Sequence, residues 1–293
     1  MLGAFISHNH RLTPKEQALI SIESIEFSYG FGVYELIRLS KGRLLFAELH
    51  IERLMQSAKI IGLEHEFDIQ TILRDIQILV DKNRVEVKVE DDNRESPNPN
   101  IQSCNIKIIL VGGKTAADAH LYIMMLAPKF LDKKTYRDGV AVITKIYERF
   151  LPQAKTLNML PSYLLYKEAT VKQSFDMLLL NRYGYILEGT RSNFFAIRGP
   201  TVYTPPLDIV LNGISRQIVI ACAKKHGYTI EEVKILASDL FSFAGAFLTN
   251  TSGKIVPIRT VDGRSFPNIT AEIKRLMELY DEYINLDPPP TPP

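Results

Sequence analysis

The sequence predicts an α+β chain in two parts, and three observations predict it. Stretches with apolar residues at helical spacing alternate with short apolar runs of strand length in both halves. A chain of 293 residues with 46% hydrophobic content is long enough to bury one large core or two smaller ones. Between the halves lies a polar, proline-bearing stretch, "PKFLDKKTYRDG", with the composition of a linker. The boundaries that follow are a small α+β domain over 1–126, a linker over 127–137, a larger domain over 138–285 and a disordered tail over 286–293, which contains "DPPPTPP".

Each element has its own reason. "ELHIERLMQSAKIIGL" sets Ile51, Leu54, Met55, Ala58 and Ile61 on one helical face, with Gly62 as the stop. "DIQTILRDIQILVDKN" does the same with Ile69, Ile72, Leu73, Ile76 and Val80. "EDDNRESPNPN" lacks any period and reads as an exposed loop. "IKIILVGG" and "HLYIMMLA" read as paired strands, and "VAVITKIYE" as the strand that opens the second half. A helix follows Lys155. Then "DMLLLNRYGYILEG" and "NFFAIRGPTVYTPP" read as hairpins turning at 182–184 and 199–200. "ISRQIVIACAKKHG" is a helix whose last turn carries Lys224, Lys225 and His226, favourable at the negative end of the dipole, with Gly227 as cap.

Several function classes are excluded. Lys+Arg 35 against Asp+Glu 33 leaves no basic stripe for nucleic acid. No apolar run reaches membrane-spanning length, and "MLGAFISHNHR" lacks the pattern of a secretory leader, so a cytoplasmic chain is expected. Cys104 and Cys222 are too few and too far apart for a disulfide framework or metal site. "LVGGKT" resembles the end of a phosphate loop, but Ile108 occupies the position of its first glycine. His8 and His10 have no further ligands nearby, and no G-x-S-x-G elbow occurs.

What remains is an unusual inventory. Lys155 in "QAKTLNML" precedes a helix, and Glu188 ends an apolar strand in "LEGTRSN". "LNGISR" sets Gly213 and Ser215 at a helix mouth, where free N–H groups suit a phosphate as readily as an ordinary cap. "FLTNTSGKIVP" ends a strand in a hydroxyl-rich turn. An amine, a carboxylate and anion-binding turns are the set that pyridoxal phosphate chemistry requires.

The ordered pieces "YGFGVYELIR" (29–38), "ELHIERL" (48–54), "KTLNML" (155–160), "LEGTRSNFF" (187–195), "LNGISR" (211–216) and "LTNTSGKIVPI" (248–258) resemble the class IV aminotransferases. These fold-type IV pyridoxal-phosphate enzymes include branched-chain and D-amino acid aminotransferases and aminodeoxychorismate lyase. The resemblance implies a small α+β domain followed by a larger one with a barrel-like sheet, a homodimer, and pyridoxal 5′-phosphate as cofactor. It implies Lys155 as the Schiff-base lysine and proton shuttle, Glu188 as partner of the pyridine nitrogen, and Arg53 as the grip on the phosphate. Leu211 would pack on the ring face, while Gly213, Ile214, Ser215 and Thr251 would complete the phosphate site. Tyr29, Arg38 and Lys107 fall at cleft-lining, substrate-binding positions.

An amino group would pass between an amino acid and a 2-oxo acid by ping-pong chemistry, with a branched-chain substrate placed first. Departures bear on that choice. Lys107 replaces a frequent arginine and loses its bidentate fork. Phe31 stands where many relatives carry a small or acidic residue, and no Arg-x-His pair occurs around 107–115. Aminodeoxychorismate lyase is the runner-up, D-amino acid transamination a third reading. A non-catalytic homologue is disfavoured because Lys155, Glu188 and Arg53 are all present.

Overall fold

A computed structural model describes residues 1–86, 103–286 and 292. The loop expected in "EDDNRESPNPN", and all of the "DPPPTPP" tail except Pro292, lie outside the described residues. Contacts divide the chain into two compact units, Met1–Lys129 with Ala154–Asn158, and Phe130–Gln153 with Met159–Pro293.

The first unit contains β1 (Leu2–His8), β2 (Arg11–Pro14), α1 (Ile25–Ser28), β3 (Gly32–Ser40), β4 (Arg43–Leu45), α2 (Ala47–Ile60), α3 (Ile69–Glu86), β5 (Cys104–Val111) and β6 (His120–Leu126). Its strands form one sheet in the order β2-β1-β6-β5-β3-β4. Period-two alternation decides what each face does. Val33, Ile37 and Leu39 of β3, Ile106, Ile108 and Leu110 of β5, and Leu121, Ile123 and Met125 of β6 are buried in one core with the apolar faces of α2 and α3. Each such side chain contributes about 1.5–3 kcal/mol on burial, which anchors both helices to this face. One residue breaks the apolar row: Glu35 lies between Val33 and Ile37 and is fully buried.

Ala154–Asn158 joins this unit by strand-like bonding to the start of β3. The Tyr34 N–H donates to the Lys155 carbonyl at 3.0 Å and the Leu157 N–H to the Gly32 carbonyl at 2.8 Å, around an antiparallel bridge between Val33 and Thr156. Gly32 permits that approach: a Cβ there would sit 2.7 Å from both the Leu110 carbonyl oxygen and Leu157 Cδ1.

The second unit contains α4 (Lys133–Asp138), β7 (Val140–Ile146), α5 (Leu160–Val171), β8 (Asp176–Leu180), β9 (Tyr185–Gly189), β10 (Asn193–Arg198), β11 (Thr201–Thr204), α6 (Ile214–Lys225), β12 (Thr229–Glu232), β13 (Ile235–Leu236), β14 (Gly245–Asn250), β15 (Lys254–Val261), β16 (Arg264–Ser265) and α7 (Ala271–Asn285). The stretch read as a linker thus includes most of α4, whose first turn is capped by the Asp132 carboxylate accepting from the Lys134 N–H at 2.8 Å. Six strands, β10-β14-β15-β7-β8-β9, form a ring that closes where Glu188 of β9 pairs with Asn193 of β10. Val142, Leu178, Ile186, Phe194, Ala196, Leu248 and Val256 are among the side chains of its buried core. This is the barrel-like sheet that the resemblance implied. Helix α6 packs on α7, and the Tyr280 hydroxyl of α7 lies 3.2 Å from Ser215 Oγ.

Candidate active site

In the first unit the candidate residues are organised by one face of α2. His50, Arg53 and Ser57 follow one another at i, i+3 and i+7, the spacing that stacks side chains on one helical stripe. Ser57, fully buried, accepts the Lys155 backbone N–H at 3.1 Å through its hydroxyl. Lys155 is therefore held at both backbone polar groups, N–H by α2 and carbonyl by β3. Its ammonium lies 4.6 Å from the centroid of the Tyr34 ring, a cation–π distance. Lys107, from the neighbouring strand, lies 5.9 Å from the same centroid.

Arg53 turns to Glu35. Its Nε donates to Glu35 Oε1 at 2.6 Å and its Nη2 to Oε2 at 2.8 Å, a bidentate pair, while His50 Nδ1 lies 2.7 Å from Oε2. Burial pushes the Glu35 carboxyl up, but the Arg53 guanidinium and His50 ring beside it hold it well below the usual carboxylate range. His50 is held below its ordinary value, chiefly by burial, against the pull of Glu35 and with Arg53 and Lys155 adding to the lowering. Arg38 donates through Nη1 to Asn105 Oδ1 at 3.2 Å. Tyr29, at the end of α1, is 83% exposed.

In the second unit the site residues gather at the barrel seam. Glu188 is 5% exposed and accepts Arg149 Nε at 2.7 Å on Oε1, with Arg149 Nη2 2.6 Å from the same oxygen. Its Oε2 accepts the Leu211 N–H at 3.3 Å and Asn193 Nδ2 at 3.4 Å. Asn193 also donates to the Leu211 carbonyl at 2.8 Å, so one amide ties the acid to the turn leading into α6. Gly213 lies against that amide: a Cβ would fall 2.0 Å from Asn193 Oδ1. The separate turn between β9 and β10 is fixed by Asp176, which accepts the hydroxyls of Thr190 at 2.5 Å and Ser192 at 2.8 Å just beyond Glu188.

Gly213 is the N-cap of α6, and among the described residues no side chain caps that helix. Ile214 and Ser215 stand in its first turn, where backbone N–H groups and the helix dipole favour an anion. Thr251 lies in the turn between β14 and β15, whose shape is set by Asn250 Oδ1 accepting the Gly253 N–H at 2.6 Å.

Glu188, Leu211, Gly213, Ile214 and Ser215 are thus brought together in one unit, and Lys155, Arg53 and Lys107 are gathered around Tyr34 and Glu35 in the other. Sequence reasoning missed Tyr34, Glu35, His50 and Ser57 in the first unit, and Arg149, Asp176 and Asn193 in the second. Glu35 had a readable signal, being a carboxylate on the apolar face of an alternating strand. Arg149 had none, since only folding brings it to an acid 39 residues away.

The residues fit a phosphorylated pyridine aldehyde by an observation independent of any resemblance. Glu188, Asn193 and Thr249 are successive cross-strand partners on β9, β10 and β14. The Thr249 hydroxyl is buried with no hydrogen-bond partner among the described residues. Buried polar atoms are rarely left so, and this one, in the row that holds the acid, is open to a polar ligand atom.

The comparisons agree with the geometry. A D-alanine aminotransferase from Bacillus licheniformis is 28% identical over 267 residues, covering 88% of each chain. A putative branched-chain-amino-acid aminotransferase from Methanocaldococcus jannaschii is 27% identical over 275 residues, covering 89% of this chain and 88% of its own. Among solved structures, the branched-chain aminotransferase of Thermoproteus uzoniensis superposes with a TM-score of 0.83 at 25% identity, covering 96% of this chain and 95% of that one. The family described as amino-transferase class IV matches residues 32–261, a span that contains the amine, the acid, both arginines and the α6 turn. The chain is therefore a member of the class IV aminotransferases, and an enzyme.

Proposed function

We propose that the chain is a pyridoxal 5′-phosphate-dependent transaminase that moves an amino group between an amino acid and a 2-oxo acid. The observation that carries this reading is the fixing of Lys155. Its backbone is bonded on both sides and its amine rests on an aromatic face. A solvated surface lysine has no use for such a framework, whereas a nucleophilic amine needs it. The cofactor, when bound, supplies the carbonyl that captures amines and the ring that stores the electron pair left by a departing α-proton. Lys155 would hold the cofactor through its amine and, freed from it, would carry a proton at Nζ. Glu188 would be the partner of the ring nitrogen. Arg53, the backbone N–H groups of Ile214 and Ser215, and the Thr251 hydroxyl are the groups that would hold the phosphate. Leu211 would cover a ring face. Tyr29, Arg38 and Lys107 bind the substrate, Lys107 as a point charge for a carboxylate.

The amino donor we propose is of branched-chain type, on the strength of the M. jannaschii relative and the Thermoproteus structure, which was solved with norvaline. The B. licheniformis relative carries the second reading, D-alanine. The working form we propose is a homodimer. Apolar side chains at Leu19, Ile22, Ile25 and Tyr29 in the first unit, and at Leu160, Tyr163, Leu164 and Val171 along α5 in the second, stand more than half exposed. Burying such surface is what an obligate partner does. No helix among the described residues is long and apolar enough to cross a membrane. A cytoplasmic setting is supported by Cys104 and Cys222, both buried as free thiols.

The test is reconstitution. Purified protein with pyridoxal 5′-phosphate should turn yellow, and borohydride should fix the cofactor to Lys155. Lys155→Ala should bind it reversibly and fail to exchange amines with 2-oxoglutarate. A panel of L- and D-amino acids then identifies the donor. Release of aminobenzoate and pyruvate from aminodeoxychorismate would move the chain to the lyase. Normal transamination by Lys155→Ala would end the reading.

A further inference from the structure

We infer that Glu35 is a positioning residue: it aims Arg53 at the cofactor phosphate by occupying the opposite edge of the guanidinium. The inference rests on the reading proposed above. A guanidinium is planar and offers two forks, one from Nε and Nη2 and one from the two terminal nitrogens. Glu35 takes the first, with Nε–Oε1 at 2.6 Å and Nη2–Oε2 at 2.8 Å. The terminal fork is then directed away from Glu35 by geometry alone. Glu35 is itself immobile: it is fully buried on β3, and His50, 2% exposed on α2, bonds its Oε2 at 2.7 Å. A single carboxylate thus fixes the rotamer of a long side chain that would otherwise sample many.

Two effects oppose each other when Glu35 is neutralised, and the structure says which wins. Removing a negative charge strengthens the field of Arg53 toward any anion, which alone would tighten phosphate binding. Removing the bidentate anchor frees the guanidinium, which then has to be ordered by the ligand. Arg53 is only 10% exposed and in direct contact with its anchor, so loss of aim dominates.

The experiment measures equilibrium binding to the cofactor-free full-length protein of three probes: pyridoxal 5′-phosphate, pyridoxal without the phosphate, and inorganic phosphate. Glu35→Gln should weaken pyridoxal 5′-phosphate and inorganic phosphate by about three- to tenfold, while pyridoxal changes by less than about twofold, the loss expected for one unpinned side chain. The phosphate-specific loss should vanish in an Arg53→Gln background, because Glu35 acts only through Arg53. Should Glu35→Gln fail to fold, Glu35→Asp serves instead, retaining the charge but one methylene too short to span both nitrogens, and should lose part of the same selectivity. Unchanged or tighter phosphate binding by these variants overturns the inference, and so does equal weakening toward pyridoxal. If the wild-type protein takes up neither pyridoxal 5′-phosphate nor inorganic phosphate, the cofactor reading falls and the inference falls with it. That outcome is distinct from a wild type that binds and a variant that is indifferent.

Discussion

Arg149→Met is the sharpest perturbation of the second unit. Arg149 meets Glu188 with nitrogens 2.7 and 2.6 Å from one carboxylate oxygen, and Glu188 is only 5% exposed. Without the arginine the acid keeps the amide donors Leu211 N–H at 3.3 Å and Asn193 Nδ2 at 3.4 Å among others, both longer than a typical N–H···O bond. Breaking a buried pair from one side costs about 3–5 kcal/mol, and the surviving donors place this case near 3 kcal/mol. In a thermal melt of the cofactor-free protein that is a fall of roughly 6–12 °C, at about 2–4 °C per kcal/mol. Glu188→Gln leaves no orphaned anion and should cost about 1–2 kcal/mol. The double variant should be more stable than Arg149→Met alone, with a coupling on the order of 2 kcal/mol in urea unfolding. A loss below about 1 kcal/mol in Arg149→Met, or simple additivity in the double variant, would refute the claim that Arg149 neutralises a buried charge.

Three further outcomes are expected. Ser57→Ala removes the acceptor of the Lys155 N–H; it should cost about 1 kcal/mol and speed amide exchange at Lys155 roughly fivefold, read by hydrogen exchange. Gly213→Ala drives a Cβ to 2.0 Å from Asn193 Oδ1; it should cost about 1–3 kcal/mol in thermal unfolding and weaken pyridoxal 5′-phosphate binding by displacing the turn. Glu35 is held below its ordinary value of 4.5 in the folded chain. Its contribution to stability is therefore complete above that value and is lost as pH falls toward the lower folded value, so Glu35→Gln should flatten the acid loss of stability below about pH 4.5. An unchanged acid profile in Glu35→Gln would contradict the charge state assigned to Glu35.

How much of this was legible beforehand depended on the range of the interaction. The face of α2 follows from spacing alone, so Arg53 could be placed on a helix and Gly62 at its end, where the backbone takes φ +69°. The hairpin turns at 182–184 and 199–200 were legible because glycine and proline punctuate local backbone. What spacing could not supply was the partner of each charge. Arg53 reads as a solvated helix residue until β3 brings Glu35 under it, 18 residues away in sequence. The ring closure between Glu188 and Asn193 depends on strand order, which no local pattern encodes. The peptide 154–158 was read with the second half because its neighbours in sequence are there. Its backbone instead bonds to β3, and Gly32, the residue that makes room for it, is an unremarkable glycine until that contact is known.

The electrostatics of the two units share a logic that bears on how a phosphate is held. Each unit pairs a buried glutamate with an arginine of the same unit, Glu35 with Arg53 and Glu188 with Arg149. Neither acid relies on a cofactor for charge compensation. The first arginine already gives one edge of its guanidinium to Glu35. Under the proposed function, affinity for a dianion would draw on donors fixed before the ligand arrives: a guanidinium locked on one edge and, in the other unit, a helix mouth that no side chain caps among the described residues. On that reading orientation adds to charge, and a buried carboxylate beside an arginine proposed to bind phosphate, which simple charge counting would treat as a defect, would strengthen the site.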